Sequence, residues 1–72
     1  MTRSLADFPR GVQRLVVALV ELRSQGYDGA HYDTLAALLG QHVRHVKASA
    51  WSARDEGLVT VDVGGGRARP SV

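Results

Sequence analysis

Arg44, His45 and Lys47 fall within four consecutive positions of a segment, Gln41 to Arg54, that contains no acidic residue. Cations with no carboxylate close by keep their donors for an outside anion, and the arginine fork matches both phosphate oxygens and the O6/N7 edge of guanine. Trp51, four residues beyond Lys47, adds a flat apolar ring to the same stretch. A second acid-free segment, Val63 to Val72, carries Arg67 and Arg69. The chemistry these residues offer is recognition of a polyanion.

Other chemistries have less to stand on. His42 and His45 are three positions apart and, with His31 or Asp33, supply the donor types of a zinc shell. Histidines lining an anion-binding surface are the plainer reading, and no metal is expected. The chain has no cysteine, so it has neither a disulfide framework nor a thiolate metal site. No nucleophile stands beside a base and no carboxylate pair is evident, so no catalytic residue, no cofactor and no enzymatic activity are expected.

The elements that must position the cations follow from periodicity. Val12, Leu15, Val16, Leu19 and Leu22 recur at helical spacing and predict helix 1 over about 9–25, with Pro9 in the first turn and Asp7 as a cap. Val17 and Val20 lie outside that stripe and imply a second apolar contact. Tyr27 to Tyr32 reads as a loop, with a very short strand at Ala30–His31. Leu35, Ala36, Leu38 and Leu39 give helix 2 over about 33–39, stopped by Gly40. Helix 3 runs over about 43–56. Projection at 100° per residue gathers Val46, Ser49, Ala50 and Ala53 on one side and Arg44, Lys47, Ala48 and Trp51 on the other. The β-branched run from Leu58 to Val63, three glycines and a return through Pro70 predict a hairpin over about 58–72, with Pro70 keeping the return strand at a sheet edge.

Seventy-two residues make a single domain, and one this small buries only about 60% of its unfolded surface. The longest apolar run, Leu15 to Val20, is far short of a membrane span, and the first residues lack the layout of a secretory signal. A soluble cytoplasmic protein is expected. The net charge is only +2, so the case for a polyanion rests on how the charges are placed.

Leu35-Ala36, then Leu39-Gly40, Val46, and Gly57-Leu58-Val59 leading into the hairpin are spaced as in one known family. From Tyr32 to about Pro70 the sequence resembles the winged helix-turn-helix domains of bacterial regulators of the MarR and GntR types. That resemblance implies an α+β, mainly helical fold: a three-helix core with a C-terminal two-stranded β-hairpin wing. It also implies that Ala36 lets two helices cross, Gly40 takes the turn and Val46 plugs the core. Two departures stand out, His42 where a Ser or Thr cap is usual and Ser49 where an apolar residue is usual. Arg67-Ala68-Arg69-Pro70 is similar to the Arg-Gly-Arg-Pro core of AT-hooks, with Ala in place of Gly.

The function the resemblance implies is double-stranded DNA binding by a small regulator or a phage or plasmid factor associated with the nucleoid. Helix 3 would enter the major groove through His42, Arg44, His45, Lys47 and Ala48. Arg67 and Arg69 would reach the adjacent minor groove, and Tyr32 or Thr34 would bond a phosphate at the start of helix 2. Trp51 either contacts DNA or packs against protein. A homodimer or cooperative oligomer on DNA is expected, with Val17 and Val20 at its interface. The alternative is a protein-interaction module that uses Trp51 and the surplus valines, its arginines forming a solvated face.

Overall fold

The computed structural model describes residues 4–62 and 69–72. Three helices are followed by an antiparallel hairpin: α1 (Arg10–Ser24), α2 (Tyr32–Leu39), α3 (Val43–Asp55), β1 (Thr60–Asp62) and β2 (Arg69–Ser71). The fold is α+β and mainly helical, as the sequence predicts, with each helix boundary within one residue of expectation. The glycines of the expected hairpin tip, and Arg67 beside them, lie outside the described residues. No helix among the described residues is long and apolar enough to cross a membrane.

The start of α1 differs from the prediction. Asp7 does not cap it; its carboxylate accepts the Ser4 N–H at 3.1 Å and closes a 3-10 turn over Leu5–Asp7. Pro9 is the N-cap residue of α1 and makes no side-chain cap bond. The intervening Phe8 is buried, which fixes the entry of the chain, and Gln13 Nε2 donates to the Phe8 carbonyl at 2.7 Å.

Val12, Leu15 and Leu19 on α1, Leu35 on α2 and Val46, Ala50 and Ala53 on α3 form the core, joined by Val59 from the segment entering the hairpin. The residues that α3 turns inward are small, so it approaches its neighbours closely. Where α1 and α3 meet, a Cβ at Gly11 would stand 2.8 Å from Ser49 Oγ, so Ser49 marks a tight crossing where the resemblance calls for an apolar residue. Between α2 and α3, Gly40 adopts φ +64°, the left-handed conformation that only a residue without a Cβ takes freely, and the chain reverses there. Arg14 links α1 to the end of α2 by donating to the Leu39 carbonyl at 2.9 Å, placing a cation at a helix C-terminus.

The hairpin pairs Thr60 with Ser71, Val61 with Pro70 and Asp62 with Arg69. Pro70 is fully buried in β2. Its position is one whose missing N–H would point away from β1, so the proline costs the ladder nothing. Its carbonyl, on that outer side, accepts the Ala30 N–H at 3.4 Å. The strand expected at Ala30–His31 is therefore not formed; one backbone bond ties the loop to β2 instead. Gly29 lets the loop come that close, since a Cβ there would meet the Pro70 oxygen at 2.3 Å.

Candidate nucleic-acid interface

The outward side of α3 is built as its periodicity dictates. Arg44, His45, Lys47, Ala48, Trp51 and Arg54 are all exposed, while Val46, Ala50 and Ala53 are buried beneath them. At 1.5 Å per residue these six span about 15 Å of helix, a length that fits along a duplex major groove about 12 Å wide.

His42 is the N-cap of α3 and its Nδ1 accepts the Arg44 N–H at 3.2 Å. The Nδ1 of His42 thus takes the place that the resemblance gives to a Ser or Thr oxygen. The His42 and His45 rings meet edge to face, 6.4 Å between centroids. Among the described residues no group of three His, Cys, Asp or Glu gathers as a metal shell would require.

Two aromatic rings organise the cations. The Lys47 Nζ lies 5.7 Å from the centroid of the Tyr32 ring, bringing the start of α2 against the middle of α3. The Arg54 guanidinium stacks over Trp51 at 4.9 Å from the ring centroid. The sequence expectation does not place Arg54 among the contact residues, although its spacing of three from Trp51 puts both on one helical face. Trp51 itself is 41% exposed. One face of its indole is covered by Arg54, and the ring and guanidinium together form a flat cationic shelf.

The two residues expected to meet a phosphate at the start of α2 part company. Thr34 is exposed in the first turn. Tyr32 is buried in the core, and its hydroxyl is enclosed without a hydrogen-bond partner among the described residues. Burial raises the phenol's pKa above its ordinary value and keeps it neutral. Tyr32 is therefore a core ring under Lys47, and its hydroxyl does not reach a phosphate in this arrangement; the aromatic body found room in the core that its polar tip does not use.

Arg69 is exposed at the start of β2. Its register partner is Asp62, so an acid stands directly across the hairpin from it. The run from Val63 to Val72 is acid-free along the chain, but strand pairing returns a carboxylate to its side, and the hairpin is less cationic in space than in sequence.

Comparison with family models, with curated proteins and with solved structures gives no match to this chain.

Proposed function

We propose that this chain binds double-stranded DNA as a winged helix-turn-helix module, with α3 in the major groove and the hairpin at the adjacent minor groove. The observation that carries this reading is the outward face of α3, where Arg44, Lys47 and Arg54 are exposed together with no acid between Gln41 and Arg54. In this reading Arg44, at the second position of α3, pairs with a base edge, and Lys47 and Arg54 take phosphates on either side. Thr34 adds a hydroxyl near the N-terminus of α2. Arg69 contributes charge from the hairpin, and Trp51 presents its free edge to sugars or a thymine methyl.

A single module of this size buries little duplex, so the reading includes two copies acting together on repeated half-sites, in the manner of a small regulator or a phage or plasmid factor at the nucleoid. The test is a salt titration of duplex binding. A log–log slope corresponding to several displaced counterions is expected, and Lys47→Ala with Arg54→Ala should make it shallower by about one for each phosphate contact removed.

A protein-interaction module is the second reading, favoured by the exposure of Val17 and Val20 on α1 and Leu38 on α2. Such a module would show no salt-dependent duplex affinity.

A further inference from the structure

Away from α3, a groove of about 520 Å³ runs between α1 and the end of α2, with Arg14, Val17, Glu21, Leu22 and Leu38 in its walls. Val17 and Leu38 are 52% and 61% exposed, so the groove carries an uncovered large apolar side chain from each helix. Its charges are ordered. Arg14, Val17 and Glu21 lie within about 60° of one another around α1 at 100° per residue. Arg14 and Glu21 are about 10.5 Å apart along the axis, and Val17 and Ala18 straddle the midpoint between them.

A stripe with a cation at one end, an acid at the other and a valine in the middle is complementary to itself when reversed. We infer that this face joins two copies of the chain, α1 lying antiparallel across α1 of the second copy with the two-fold axis at the Val17–Ala18 midpoint. Each Arg14 then faces the second copy's Glu21, and the valines meet on the axis. An isologous contact of this kind makes two ion pairs from one surface. Arg14 spends one donor on the Leu39 carbonyl and has others to turn outward, and Glu21 has no ion pair among the described residues. A parallel arrangement would set like charges side by side, so the charges fix the direction of pairing. The inference rests on the reading that two copies act together, and it is tested without DNA so that its failure and the failure of duplex binding are seen separately.

Sedimentation of the chain alone, up to about 1 mM, should show a reversible monomer–dimer equilibrium. Arg14→Glu and Glu21→Arg each set like charges against each other in a homodimer and should each weaken association about tenfold or more. Mixed in equal amounts, the two variants restore both opposite-charge pairs and should form heterodimers. If Arg14→Glu fails to fold through loss of its bond to Leu39, Glu21→Arg compared with Glu21→Gln gives the same answer: the glutamine should weaken association less than the arginine. A chain that stays monomeric throughout, reversals that leave association unchanged, or a folded mixture that remains monomeric would each overturn the inference.

Discussion

α1 and α3 are both amphipathic, yet they divide their residues in opposite ways. α1 turns large side chains inward, Val12, Leu15 and Leu19, and still leaves Val17 and Val20 uncovered. α3 turns mostly small ones inward, Val46, Ala50 and Ala53, and leaves cations and one indole outside. The contrast separates two jobs. A helix that must lie tight against the body of a small domain while exposing charge needs little inward bulk, because its neighbours supply the volume. A helix with more apolar surface than one core can hold has some left for a partner. On this view α3 is the face for the polyanion and α1 the face for the second copy.

Enlarging a side chain on each helix is the strongest way to break the comparison. Ala50→Leu forces bulk into the fully buried crossing of α3 and should cost about 1–3 kcal/mol in a denaturant titration. Val20→Leu adds its bulk on an exposed position and should change stability by no more than about 0.5 kcal/mol. Equal costs would mean that the two helices are packed alike.

Removing charge sharpens the contrast. Arg44→Ala should weaken duplex binding by about 1–3 kcal/mol while the melting temperature stays within a degree or two. Arg10→Ala, an exposed cation at the start of α1, should leave duplex affinity nearly unchanged. His42→Ala removes the cap of α3 and should cost about 1 kcal/mol of stability, most of it recovered by His42→Asn, as thermal unfolding would show. The smallest effect belongs to Tyr32→Phe. Deleting a hydroxyl that has no partner should leave stability level or raise it by up to about 1 kcal/mol, with duplex affinity unchanged; a loss of affinity would mean that the hydroxyl reaches a phosphate after all.

Much of this contrast is legible in the sequence. Apolar spacing predicts which residues of α1 and α3 face inward, because that depends only on helical geometry, and Gly40 marks the chain reversal because few other residues tolerate its backbone. What depends on contacts between distant segments is not legible. The burial of Tyr32, a polar-tipped residue opening a helix, follows from space between α2 and α3 that no local pattern records. The acid facing Arg69 emerges only when the hairpin closes in its register, and the tie between Ala30 and Pro70 joins residues 40 positions apart. His42 as a cap is hidden for another reason: its competence depends on which ring nitrogen turns towards the Arg44 N–H.

The division of labour between the two helices is tested most directly by following the backbone amide resonances of the labelled chain as a DNA duplex is added. The account predicts that, on a duplex too short to hold a second copy, shifts concentrate on residues 44–54 of α3 and the start of α2, while residues 17–21 of α1 stay still. Shifts centred on α1 with α3 silent, or no shifts at low salt, would contradict it.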